Sequence, residues 1–369
     1  MANIYGTWGS DFRIGTAGDD VFYPGGSLAP FFDFGNDLFF GFGGDDLIYG
    51  GFGADRAWGG TGDDTIYGGF GNDSLSGNEG ADQLFGEVGD DTLDGGDGND
   101  YVIGGIGNDN LIGGYGNDTL AGDHGDDWLF GGFGDDLLSG GAGNDRIYAG
   151  SGNDLVFGGG GNDTIIAQEE GNTVIFAGDG DDYVHLSEGD HLVYLGDGND
   201  ILYATFADQL RVFGGAGDDT IRGSGTGDRL DGDAGNDSLY GGVGNDTLNG
   251  GDGDDTLDGD YHTNVMTGGA GADTFMFNTD RYSVTPRPDD TTTITDFVRG
   301  VDRIDFDSVE RPLSSTGPSN GAEADTNGDL LITAADHGWS VINGNLTFDG
   351  YGENLILTGV TWIYAMDII

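Results

Sequence analysis

The sequence predicts an all-β chain folded as a parallel β-roll, a right-handed β-solenoid whose full turn is two nine-residue units long. Three observations carry this. A nine-residue unit of the form GGxGxDxUx, with U apolar, recurs from residue 32 to 166. The chain of 369 residues holds 79 Gly and 59 Asp, and these fall in register with the unit. Where the nine-residue pattern fails, a spacing of about 18 survives.

Composition sets the outer limits. The formal charge is −56, all eleven basic residues are Arg, and Cys is absent. A polyanion such as nucleic acid is repelled by such a chain, and so is an anionic membrane surface. No apolar run reaches the roughly 18 residues of a membrane span, and without Cys there are no disulfides or thiolate metal sites. Chains this rich in Gly and Asp ordinarily stay disordered, because they bury too little apolar surface to offset ordering entropy. An aromatic content of 11 % and the strict register argue for order, provided that multivalent cations neutralise the Asp.

Each part of the unit has a physical task, as in GGTGDDTIY at 59–67, GGFGNDSLS at 68–76 and GGFGDDLLS at 131–139. The GGxGxD hexapeptide makes a turn whose glycines adopt backbone angles closed to other residues and let carbonyls converge. The sixth position is Asp in fifteen consecutive units: Asp37, Asp46, Asp55, Asp64, Asp73, Asp82, Asp91, Asp100, Asp109, Asp118, Asp127, Asp136, Asp145, Asp154 and Asp163. Carboxylate and carbonyl oxygens suit Ca²⁺, which takes six to eight oxygens in flexible geometry, better than rigid, strongly hydrated Mg²⁺. The last three residues make a short strand with its middle side chain inward, as at Ile66, Leu75, Leu84, Leu93, Val102, Leu111, Leu120 and Leu129. Nine residues are then half a turn, and Ca²⁺ is expected in both edge turns.

The 18-residue period extends through the irregular stretch that follows. Asp163, Asp182, Asp200 and Asp219 are spaced 19, 18 and 19, with motif turns AGDGDDYVH and LGDGNDILY. On the other edge Asn172, Asp190 and Asp208 continue from Asp154 without the full glycine set, so calcium is expected on one edge only there. The pattern resumes with Asp219, Asp228, Asp237, Asp246, Asp255 and Asp273, with Asn264 in one slot. Stacked neighbours sharing an ion give roughly twenty Ca²⁺ in all, so metal binding and folding are expected to be one event.

These repeats, with GGAGADTFMFNT at 268–279 and TTTITDFVRGVDRIDFDSV at 291–309, resemble the RTX family of secreted bacterial proteins over nearly the whole chain. The resemblance implies passage through type I secretion machinery without an N-terminal signal peptide, folding in extracellular calcium, and an uncleaved C-terminal signal, for which the apolar end Trp362 to Ile369 is the candidate. Arg13, in an inward slot, argues against calcium in the first two units.

A second calcium signal lies at 325–336. Asp325, Asn327, Asp329 and Asp336 take positions 1, 3, 5 and 12 of an EF-hand-like loop, with Leu330 in place of the usual Gly and Asp rather than Glu at the end; a solvated acidic turn is the alternative. Catalytic signals are missing. The five His form no HExxH pair, no GxSxG elbow occurs, and a chain without Lys has no phosphate-binding GxxxxGK[ST]. The expectation is that the protein is not an enzyme, and His185 and His191 are read as surface polar residues.

The outward positions carry more information. Tyr49 and Phe52, Tyr67 and Phe70, Phe85 and Val88, and Ile103 and Ile106 recur at every second unit on one side, opposite the mostly polar Trp58, Thr61, Ser76, Glu79, Asp94 and Asp97. Near residue 110 the sides exchange, with Ile112, Tyr115, Phe130 and Phe133 on the other. Such a stripe fits an interface with another molecule, or a seat for the chain's own aromatic stretch of Phe31, Phe32, Phe34, Phe39, Phe40 and Phe42.

The expected organisation is an aromatic cap at 1–36, a regular roll at 37–166, an irregular section at 167–215, a second regular roll at 216–280, and a C-terminal β segment at 281–369. The expected function is a secreted, calcium-folded structural protein of the cell surface or extracellular matrix, associating with itself or another surface protein. Alternatives are a calcium-dependent secretion and folding module serving a separate enzyme, and a calcium-dependent adhesin or ice-binding roll. The outward row lacks the regular Thr that ice binding needs.

Overall fold

The computed structural model describes residues 2–5, 12–23, 35–277, 290–298 and 301–306, with short strands at 331–332, 339–342, 345–350, 353–357 and 363–364. Every regular element among them is a strand. The chain divides into two units, Met1–Gly189 and Asp190–Ile369.

In the first unit successive strands alternate between two parallel sheets. Leu47–Phe52, Thr65–Phe70, Gln83–Val88 and Tyr101–Ile106 lie side by side in one sheet, with Ile48, Ile66, Leu84 and Val102 aligned one per turn. Leu38–Gly43, Arg56–Thr61, Ser74–Glu79 and Thr92–Asp97 do the same in the other, aligning Phe39, Ala57, Leu75 and Leu93. The parallel β-roll read from the spacing is thus the observed fold. Inward side chains from the two sheets are fully buried and form a core one apolar residue deep per half turn. So thin a core cannot by itself offset the ordering of nine residues, two or three of them Gly.

Polar ties supplement it in two directions. In the regular turns the motif Asp accepts a hydrogen bond at Oδ1 from the backbone N–H of the Asp one turn earlier: Asp46 N to Asp64 Oδ1 at 2.7 Å, Asp64 N to Asp82 Oδ1 at 2.7 Å. In many turns the residue before the Asp works the other way. The Asp63 N–H donates to Asp45 Oδ1, and the Ala81 N–H to Asp63 Oδ1. The strands Phe12–Ile14 and Asp20–Tyr23 join these sheets at a wider spacing, Phe12 beside Leu38 and Val21 beside Leu47.

The second unit repeats the plan. One sheet runs through His191–Asp197, Leu210–Ala216, Arg229–Ala234, Thr247–Asp252 and Thr263–Ala270, and the other through Ile201–Ala204, Thr220–Arg222, Ser238–Tyr240, Thr256–Asp258 and Thr274–Phe277. Asp290–Ile294 and Arg303–Phe306 continue these sheets in parallel. Glu353–Leu357 then pairs in parallel with Asp290–Ile294 and antiparallel with Asn345–Gly350.

The irregular stretch keeps its period, but its second edge is shifted from the sequence reading. Leu155 pairs with Val174, so Thr173 and not Asn172 follows Asp154 in the carboxylate slot. In the second unit His191 pairs with Leu210, and the Leu210 N–H donates to Asp228 Oδ1, so Leu210 and not Asp208 precedes Asp228. Asn172 and Asp190 stand one residue early, in the exposed row: the Asn172 N–H donates to Asn153, and the Gln209 N–H to Asp190. His191 is buried in the slot itself, contrary to its reading as a surface residue.

Candidate metal centre

The turns place the motif carboxylates where burial and chemistry point to a cation. From Asp64 to Asp163, every ninth residue is an Asp at most 3 % exposed, and its Oδ2 is buried with no hydrogen-bond partner while Oδ1 is engaged. Asp46, Asp219, Asp237, Asp246, Asp255 and Asp273 share this state. Asp55, Asp182 and Asp200 occupy the same slots and are equally buried. A carboxylate oxygen removed from water without a partner is costly, and a row of them is costlier still.

Their protonation behaviour records that cost. Burial pushes the carboxyl of Asp64 up to about 7 and that of Asp73 up to about 8; the backbone N–H of the earlier turn opposes the shift, and the stacked neighbouring carboxylates add to it. Asp100, Asp109, Asp127, Asp136 and Asp163 rise to about 7 for the same leading reason.

Glycine geometry shapes the cradle. A Cβ on Gly59, the first motif position, would collide with the carboxylate of Asp64; one on Gly50 would meet the carbonyl oxygen of Gly68, in the next turn, together with Asp55 Oδ2. The first-position glycine, its stacked carbonyl and the Asp Oδ2 therefore enclose a space that any side chain would fill. The second position has a left-handed backbone, with φ of 119° at Gly60 and 111° at Gly69. Even non-glycine residues adopt it here, Asn78 at 79° and Glu87 at 73°, which sterics alone disfavour. Among the described residues no three His, Cys, Asp or Glu side chains come together as a metal cluster. The donors in each turn are one or two carboxylates with backbone carbonyls, an all-oxygen set that fits Ca²⁺.

Two carboxylates absent from the sequence reading belong to these rows. Asp20 and Asp302 are buried; the Asp20 N–H donates to Asp46 Oδ1, and the Asp273 N–H to Asp302 Oδ1. Insertions hide them, since they stand 26 and 29 residues from their neighbours. The local signal is intact: Phe22 and Ile304, two residues on, are the buried apolar residues of their units. Asn264 holds its slot and donates through Nδ2 to the Gly259 carbonyl. Asp37 differs from the rest, because Nη2 of Arg13 lies 2.7 Å from its Oδ2. Asp325, Asn327, Asp329 and Asp336 lie outside the described residues.

The outward residues form the expected ladders. Tyr49, Tyr67 and Phe85 stack with centroids 5.1 and 4.8 Å apart and planes within 9°, close to the spacing of the strands that carry them. Phe52 stacks on Phe70 at 4.7 Å, and Val88 and Ile106 follow in register. Ile103 then gives way to Ala121, while on the other sheet Asp94 gives way to Ile112 and Phe130. There Tyr115 stacks on Phe133 at 4.9 Å. Phe39, Phe40 and Phe42 do not cover the first ladder: they lie on the opposite sheet, where Phe39 is core and Phe40 stacks on Trp58. The first ladder instead extends to Tyr23 and Tyr5. Phe31, Phe32 and Phe34 lie outside the described residues.

The family model of the RTX calcium-binding nonapeptide repeat matches residues 5–26, 33–57, 49–84, 58–93, 76–111, 103–138, 130–165, 169–203, 211–239 and 240–275. Comparison with curated proteins gave no match.

Proposed function

Because the chain belongs to the RTX calcium-binding nonapeptide repeat family, we propose that it is a secreted structural protein that folds as calcium fills its turns outside the cell and then associates, with itself or with another surface protein, through its aromatic ladders. It works without chemistry of its own. The observation that supports this most directly is the exposure of the ladders: Phe70 is 50 % exposed, Ile106 56 %, Tyr115 60 % and Phe133 54 % on rows built from an otherwise acidic chain. Apolar rows of this kind are commonly contact surfaces, and at a formal charge of −56 calcium loading lowers the repulsion between two copies.

Light scattering with and without calcium tests the reading. The wild type should be an expanded monomer in chelator and a larger species in calcium. The variant with Tyr49, Phe52, Tyr67 and Phe70 all changed to Ser should fold with calcium, judged by circular dichroism, and remain monomeric. Calcium-loaded wild type that stays monomeric at every concentration, with no partner, would favour a secretion and folding module for a separate enzyme.

A further inference from the structure

We propose that the second residue of each turn decides whether the turn takes calcium, and that the turns ending at Asp20, Asp228 and Asp302 are closed by a backbone hydrogen bond in place of the ion. This rests on the calcium reading of the ordinary turns. In these three the second motif residue is Thr16, Ser224 or Val298 rather than Gly, and its N–H donates to Oδ2 of the Asp four residues on: Thr16 N to Asp20 at 2.6 Å, Ser224 N to Asp228 at 2.8 Å, Val298 N to Asp302 at 2.5 Å. The oxygen that stands unpartnered in an ordinary turn such as that of Asp64 or Asp109 is here already satisfied.

The backbone explains the division. In ordinary turns the second residue is left-handed, including Phe42, Asn78, Glu87, Asp123 and Asp233 at φ between 70° and 79°. None of Thr16, Ser224 and Val298 is left-handed. Two are β-branched, for which that region is strongly disfavoured. A bulky first residue reinforces the closure in one case, because Phe297 stands buried where the ordinary cradle has Gly. Asp228, grouped with the calcium ligands by its spacing, is thereby a carboxylate in the right row with its metal-facing oxygen engaged.

Native mass spectrometry of the calcium-loaded full chain counts the ions. Thr16→Gly completes the motif GGAGDD at 15–20 and should raise the count by at least one over wild type, whereas Thr16→Val should leave it unchanged. In the opposite direction Gly105→Val should lower the count, and Gly105→Asn, which tolerates a left-handed backbone, should keep it. An unchanged count in Thr16→Gly overturns the proposal, as does a full count in folded Gly105→Val. If Gly105→Val does not fold, Thr16→Gly alone decides. Failure of the calcium reading itself is separately visible, as a wild type that binds no calcium.

Discussion

The guanidinium of Arg13 sits 2.7 Å from Oδ2 of Asp37, with both side chains almost fully buried, and its Cζ lies 4.7 Å from the centroid of the Phe39 ring. A fixed cation thus stands where the row of carboxylates begins. Breaking a buried ion pair from one side costs about 3–5 kcal/mol, since the surviving charge loses its partner. Arg13→Met should therefore accelerate hydrogen exchange in residues 12–23 and 35–43 of the calcium-loaded protein and leave 64–163 unaffected. Adding Asp37→Asn should restore much of the protection. An exchange profile identical to wild type would sink this account.

The raised carboxyls set a pH dependence for the metal-free chain. Asp64 and Asp73 move from an ordinary value of 3.8 to about 7 and about 8. The folded form then holds protons that the unfolded form has released, and stability falls as pH rises through that interval. The contribution is fully present below about pH 4 and lost as pH passes through 6 to 8. In chelator the protein should be compact near pH 4 and expanded at pH 8, read by small-angle scattering. Calcium competes with the same protons, so its half-saturation should move to higher concentration as pH falls from 8 to 5. A chelated chain more compact at pH 8 than at pH 4 contradicts the assignment.

The cradle predicts opposite fates for two glycines. A Cβ on Gly59 would come within 2.7 Å of Asp64 Cγ and closer to its Oδ2, whereas one on Gly160 meets nothing within 4 Å. Gly59→Ala should weaken calcium binding and lower the thermal midpoint, with overpacking of about 1–3 kcal/mol. Gly160→Ala should leave both within error. Equal effects in calorimetry would mean that the space beside Asp64 is not a ligand site.

Much of this was legible because identical tasks recur at identical spacing: Asp46 to Asp163 every nine residues, and Ile66 to Leu129 among the inward positions. What stayed hidden followed from insertions and from a second oxygen row. Asn172 and Asp190 keep the spacing of the carboxylate column and mimic it, yet they belong to the exposed row one residue earlier. The slots themselves hold Thr173, His191 and Leu210, which carry no repeat signal. Asp20 and Asp302 lost their spacing to longer connections. Arg13 could be placed inward from sequence, but its partner Asp37 lies 24 residues away.

The hydrogen bonds that tie the buried motif carboxylates between turns point one way: the donor is a backbone N–H of the earlier turn, and the acceptor is the carboxylate one turn later. Cut such a row of carboxylates anywhere and its two ends differ, one offering a negatively charged oxygen, the other a backbone N–H. In the first unit Arg13 stands at the oxygen-bearing end, where a positive charge is the fitting lid. A single bond direction, repeated turn after turn, gives each buried carboxylate row a front and a back.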